Sequence, residues 1–149
     1  PKQVKNHMDF KFPEAIPLTK TIHDILEKGK QAENLYYNEN HQYYPELIKT
    51  MTSKDTIYQW RRVYVRENKS NVCPTLTANM GSGGHNVPLV LDDYGIRKLT
   101  PKECFAFQGY PVEKYILPNI ANSKLYMQAG NSVTTPLIER IANQIIKVL

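Results

Sequence analysis

Cysteine is scarce in this chain, and nothing in it is apolar for long enough to cross a bilayer. The two cysteines, Cys73 and Cys104, stand far apart with no metal-type spacing. The four histidines (His7, His23, His41 and His85) pair neither with each other nor with the cysteines at ligand intervals. No zinc or other metal site and no disulfide framework is expected, and a reduced, cytoplasmic location is the default. No apolar run approaches the roughly 20 residues of a membrane span, so no membrane partner is expected. A charged-then-apolar leader is also missing. Position 1 is Pro rather than Met, so either an initiator Met was removed or the chain was cut from something longer. With 149 residues, 41% of them hydrophobic, the chain is long enough and apolar enough for one compact domain with its own core.

The charge is unevenly placed. Residues 1–50 carry seven basic and seven acidic side chains, whereas 51–92 carry five against three and 93–149 seven against four. The whole net charge of +5 therefore lies in the last hundred residues, and it suits a polyanionic partner without specifying one.

Residues 1–18 read as an extended entry segment. Thr21 is placed to cap a helical stretch over about Thr19–Lys30, with Ile22, Ile25 and Leu26 on one face and Gly29 as its stop. Residues 31–45 are irregular, and Pro45 starts a short helix. Ile57–Arg66 (IYQWRRVYVR) reads as one strand, with Trp60, Arg62, Tyr64 and Arg66 on one side and Arg61, Val63 and Val65 on the other. Glu67–Asn71 is a turn, Thr75–Ala78 a short strand, and Gly81–Gly84 a loop. Val87–Leu91 and Ile96–Leu99 are two further strands. Thr100, Pro101 and Glu103 form a capping-box start for a helix that ends at Gly109. A short helix over Asn122–Gln128 stops before Gly130. In the last helix Thr135 caps, Pro136 opens, and Leu137, Ile138, Ile141, Ile145, Val148 and Leu149 form one apolar stripe that needs a partner surface.

Three stretches carry groups suited to recognition. The arginine and aromatic side chains of 57–66 suit phosphates and base edges, although the strand by itself favours a half-buried aromatic pair under solvated arginine stems. In PTLTANMGSGGHNVP (74–88), Thr75, Thr77, Asn79, Ser82 and His85 offer hydrogen-bonding groups on a backbone whose glycines permit close approach. The alternative there is a hairpin tip with no partner. It is not a nucleotide-binding loop, because the GxGxxG and Lys-Ser/Thr patterns are absent. In QAGNSV (128–133), Asn131 and Ser132 precede a helix start and could hold an anion. Cys104 reads as a small buried hydrophobe rather than a nucleophile.

Taken together, RKLTPKECFAFQGYP (97–111), then KLYMQAGNSV (124–133), then an amphipathic final helix resemble the ninth and tenth motifs of cytosine-5 DNA methyltransferases. PTLTA resembles the Thr-Leu core of that family's target-recognition domain, and DFKFPEAIPLTKTIHDIL (9–26) resembles the linker after its eighth motif. The resemblance covers nearly the whole chain. It implies an α+β fold, with a small, mostly β target-recognition domain and a carboxy-terminal helix packing on an absent catalytic α/β domain. The implied division is 1–30 as linker and helix, 31–111 as target-recognition domain including the ninth motif, and 112–149 as tenth motif and final helix. It further implies DNA contact by Gln59, Arg61, Arg62, Thr75, Thr77, Asn79, Gly81, Ser82 and Gly83. Asn131, Ser132 and Val133 would close over the methionine part of S-adenosylmethionine, and Arg97, Glu103 and Gln108 would be scaffold.

The family's Phe-x-Gly-x-Gly loop, Pro-Cys nucleophile and Glu-Asn-Val motif are missing from this sequence; Cys73 precedes a proline rather than following one. Methyl transfer to cytosine C5 needs a thiolate that adds to C6 and a base flipped out of the duplex. The resemblance therefore implies the DNA-recognition part of a methyltransferase, with no catalytic residue of its own. Its partners would be double-stranded DNA and a catalytic half that shares the cofactor. The alternative is a stand-alone, sequence-specific DNA-binding module without methylation activity.

Overall fold

The computed structural model describes residues 9–68, 72–83 and 86–149. An antiparallel sheet in the order β2–β1–β3–β4 lies at its centre, built from β1 (Tyr58–Arg61), β2 (Tyr64–Glu67), β3 (Leu89–Asp92) and β4 (Gly95–Lys98). The helices are α1 (Tyr44–Thr50), α2 (Pro101–Phe107), α3 (Asn122–Asn131) and α4 (Thr135–Val148), with 3-10 turns at Ile22–Asp24, Glu33–Leu35 and Ala78–Gly81. The fold is α+β, as expected.

Alternation along β3 shows how the sheet divides the core. Leu89 joins Tyr37, Leu47, Met51, Tyr58, Val65 and Ile96 in a cluster that includes α1. Val90 points the other way, into a cluster with Ile22, Ile57, Leu76, Met80, Leu99, Cys104, Tyr126 and Ala129. That second cluster draws residues from the entry segment, the sheet and the last third of the chain.

The capping box at Thr100 is present: its hydroxyl accepts from the Glu103 N–H at 3.0 Å, and the Glu103 carboxylate accepts from the Thr100 N–H at 2.7 Å. The same carboxylate is fully buried and accepts from both terminal guanidinium nitrogens of Arg97 at 2.8 Å. It also accepts the Glu27 N–H at 2.8 Å. Arg97 donates its Nε to Asp92 at 2.6 Å. Burial opposes the charge on Arg97, but Glu103 and Asp92 outweigh it and raise its pKa. Charged groups this deep survive only when paired and fully hydrogen-bonded, and among the described residues no buried side-chain nitrogen or oxygen lacks a partner.

Several expectations are corrected. The single strand over 57–66 is a hairpin, turning at Arg62 and Val63, with Trp60 opposite Val65 and Arg61 opposite Tyr64. Arg62 adopts φ 60°, a left-handed conformation usually left to Gly or Asn, so no turn residue announced the reversal. Cross-strand partners share a face, so Gln59, Arg61, Tyr64 and Arg66 lie on one side. Trp60 lies on the other, stacked on Tyr43 with ring centroids 4.1 Å apart. Thr75–Ala78 is not a strand; the backbone there passes into the Ala78–Gly81 turn, which also takes Gly81 out of the expected loop. The helix expected over 19–30 is only the Ile22–Asp24 turn, with its cap at Thr21. Helix α3 runs through Gly130 to Asn131, and the cap of α4 is Thr134, one residue early. The turn expected at 67–71 falls partly, at 69–71, outside the described residues.

No residue of α4 is buried. Leu137, Ile138, Ile145 and Leu149 are exposed and Ile141 and Val148 are half-buried, so most of the apolar stripe read from the sequence has no cover within the described residues. Arg140 donates to the Glu14 carbonyl at 2.6 Å and ties the entry segment to this helix. That segment adds exposed Phe12, Ile16 and Leu18.

Removing one member of the buried ion pair strands the other. Glu103→Ala is expected to cost about 3–5 kcal/mol of stability, read from the urea unfolding midpoint. An unchanged midpoint would mean that Arg97 finds solvent or another acceptor.

Candidate functional site

The β1–β2 hairpin presents Arg61, Arg62, Tyr64 and Arg66 to solvent, with Gln59 half-buried at its base and accepting from Arg66 at 2.5 Å. Trp60, Arg61, Arg62, Tyr64 and Asn86 line a concavity of about 530 Å³. Asn86 belongs to the segment after the Gly-rich stretch, and its amide donates to the Asn79 carbonyl at 3.2 Å. It thus joins the arginine hairpin to the second candidate stretch. Asn86 was not among the residues singled out by sequence, because its approach to the hairpin is long-range and leaves no local signal; Tyr64 was named with the arginines, but the hairpin sets it opposite Arg61 rather than beside Arg62.

The second stretch is ordered by alternation and by a tight turn. Thr75, Thr77 and Asn79 are exposed, while Leu76 and Met80 are buried in the core. The Ser82 N–H donates to the Asn79 carbonyl at 3.0 Å and closes the turn. Ser82 and Gly83 are exposed and Gly81 is half-buried. Gly84 and His85 lie outside the described residues.

This turn packs directly on α3, backbone against backbone. A Cβ on Gly81 would lie 2.4 Å from the Ser123 carbonyl oxygen and 3.0 Å from Met127 Cβ. A Cβ on Gly130 would lie 2.1–2.3 Å from the Thr77 carbonyl and the Ala78 nitrogen. Gly130 is therefore a close-approach glycine inside a helix, not a stop signal.

The third candidate group follows at the end of α3. Asn131 and Val133 are exposed, and Ser132 turns its hydroxyl back to the Ala129 carbonyl at 2.7 Å. Thr75 and Ser132 line one cleft of about 380 Å³ with Cys73, Gln108 and Thr134. The structure thus gathers Thr75 with the third group, and Arg61 and Arg62 with the far end of the second.

Neither cysteine is poised as a nucleophile. Burial pushes the Cys73 thiol up to about 12 and raises that of Cys104 well above its ordinary value, so both are neutral thiols at neutral pH. Among the described residues no His, Cys, Asp and Glu cluster could hold a metal ion, and no helix is long and apolar enough to cross a membrane.

Comparison with known proteins supplies the context for this geometry. A family model described as C-5 cytosine-specific DNA methylase matches residues 1–147. The chain is 58% identical over 148 residues to the type II methyltransferase M.Bsp6I of Bacillus sp. (strain RFL6), covering 98% of this chain and 47% of that protein. It is 30% identical over 152 residues to the type II methyltransferase M.SsoII of Shigella sonnei, covering 99% of this chain and 38% of that protein. An orphan methyltransferase of Bacillus phage rho11s, M.Rho11sI, is 46% identical over 56 residues, covering 36% of this chain and 11% of that protein. The chain therefore spans less than half the length of these relatives.

The seam at Gly130 yields a prediction whose sign discriminates. Helix propensity alone would make Gly130→Ala stabilising by about 1 kcal/mol. Overlap with the Thr77 and Ala78 backbone should instead make it destabilising by about 1–3 kcal/mol. Chemical denaturation decides between the two.

Proposed function

The chain belongs to the C-5 cytosine-specific DNA methylase family, and on that premise we propose that it is the DNA-recognition part of a DNA (cytosine-5-)-methyltransferase. It reads a specific duplex site and supplies one wall of the cofactor pocket. The nucleophile comes from a catalytic half outside this sequence. The observation that carries the recognition role is the concavity where Arg61 and Arg62 meet Tyr64, Trp60 and Asn86. Guanidinium groups make bidentate contacts with guanine edges and with phosphates, and amide side chains suit base edges. On this reading Thr75, Thr77, Asn79, Gly81, Ser82 and Gly83 form the adjoining contact surface, with Gln59 at the base of the hairpin on the face of Arg61. The target-recognition domain is 31–111, between the linker of 1–30 and the tenth motif with its helix in 112–149.

The family uses S-adenosylmethionine, which supplies the methyl group. The exposed end of α3 fits its amino-acid portion in kind. Asn131 carries an amide donor and an acceptor for a carboxylate and an ammonium, and Val133 adds an apolar surface. Asn131, Ser132 and Val133 therefore form this chain's share of the pocket. The catalytic half packs on the exposed part of the α4 stripe, Leu137, Ile138, Ile145 and Leu149, and on Phe12, Ile16 and Leu18. The relatives' additional length gives such a surface a source. With neither the Pro-Cys nucleophile nor the Glu-Asn-Val motif in its sequence, this chain alone transfers no methyl group. As the relatives' names are those of type II methyltransferases, the complete enzyme would serve in restriction-modification, in the cytoplasm.

Transfer of labelled methyl groups from S-adenosylmethionine to duplex DNA tests the division of labour. Activity is expected from this chain mixed with a separately made catalytic half and from neither alone. No activity in the mixture, with both halves folded, would leave a DNA-binding module without methylation. The recognition surface has its own test. Arg62→Ala should weaken DNA binding by the assembled enzyme by about five- to 150-fold, a loss on the order of 1–3 kcal/mol. Unchanged affinity across a salt series would remove Arg62 from the contact surface.

A further inference from the structure

Gln108 ends α2, and its side-chain amide and main-chain carbonyl are all used on the chain around Asn131–Val133. Its Nε2 donates to the Ala129 carbonyl at 3.4 Å, just before that segment. Its Oε1 accepts from the Thr134 hydroxyl at 2.8 Å, just after it. Its main-chain carbonyl accepts from the Thr135 N–H at 2.8 Å and the Thr135 hydroxyl at 3.2 Å. One residue thus holds both ends of a short stretch whose exposed members, Asn131 and Val133, make none of these bonds themselves.

The support beneath Gln108 is firm. Its helix is only two turns long and is anchored at the other end by the buried Arg97–Glu103 pair. Gly109, at φ +83°, lets the chain turn away where a Cβ would lie 2.4 Å from Pro136 Cδ, so the end of α2 and the start of α4 are in direct contact. Gln108 also lines the cleft shared by Thr75 and Ser132.

We infer that Gln108 is a positioning residue: by clamping Ala129 and Thr134 it fixes the Asn131–Val133 segment, and so sets the affinity for S-adenosylmethionine without touching it. The inference rests on the proposed reading of that segment as part of the cofactor pocket. Thr134 gives a probe that leaves Gln108 in place. It is exposed, and although it occupies the cap position of α4 its side chain makes no capping hydrogen bond. Thr134→Val therefore removes only the donor to Gln108 Oε1, and Thr134→Ser restores it.

The experiment measures S-adenosylmethionine and DNA dissociation constants by calorimetry, using this chain assembled with the catalytic half. Gln108→Ala and Thr134→Val should each raise the cofactor constant by about three- to tenfold, the effect of one hydrogen bond. Thr134→Ser should match the unaltered chain. The double variant should be no worse than Gln108→Ala, because both changes break one interaction. DNA affinity and the unfolding midpoint of Thr134→Val should stay unchanged. Cofactor constants unchanged in both single variants, with the unaltered assembly binding normally, would overturn the inference and leave the pocket reading standing. A parallel fall in DNA affinity, cofactor affinity and unfolding midpoint would also overturn it, as general loosening. Failure of the unaltered assembly to bind S-adenosylmethionine at all would remove the pocket reading, and the inference with it.

Discussion

The bidentate pair between Arg97 and Glu103 is the constraint on which the rest of the structure depends. Four donors converge on one carboxylate, from β4, from the first turn of α2 and from the backbone at Glu27. A buried ion pair of this kind adds little net stability over an apolar replacement of equal shape. What it fixes is geometry. Each hydrogen bond is directional, and only one mutual placement of β4, α2 and the entry segment satisfies them all. Asp92 extends the network to the end of β3, where it also caps the β3–β4 turn through the N–H groups of Tyr94 and Gly95.

From that anchor the geometry is passed on by hydrogen bonds to main-chain carbonyls and by close backbone contact. Helix α2 delivers Gln108 to the start of α4, and the Tyr126 hydroxyl of α3 donates to the Leu99 carbonyl at 2.6 Å. The Ala78–Gly81 turn lies on α3 with no side chain between them at Gly81 or Gly130. The arginine hairpin is held differently, by strand pairing and by the Tyr43–Trp60 stack. Two kinds of attachment, one rigid and one at the edge of a sheet, therefore support the two candidate recognition stretches.

How much of this was legible in the sequence depends on whether the signal was local. The Thr100–Pro101–Glu103 start of α2 and the apolar stripe of α4 could be read because capping and periodicity are local properties. The reversal at Arg62 could not, since arginine is an unusual residue for a left-handed turn position and the strand-forming residues run on through it. Gly130 was misread because a glycine that stops a helix and one that admits a neighbouring backbone look alike until the neighbour is known. The same holds for the candidate site. Thr75, Arg61 and Arg62 could be named from their chemistry. Their grouping, with Ser132 on one side and Asn86 on the other, required the fold.

The glycine seam between α3 and the Ala78–Gly81 turn has a consequence for how this protein can change. Because the seam is backbone on backbone, it tolerates almost no variation at Gly81 or Gly130. Thr75, Asn79 and Ser82 project away from it into solvent. Substitutions at such exposed positions shift stability by only about half a kcal/mol. The molecule therefore separates a part that must stay as it is from a part that is free to drift. A lineage could exchange the outward side chains many times over, acquiring new preferences, without ever having to rebuild the joint that carries them.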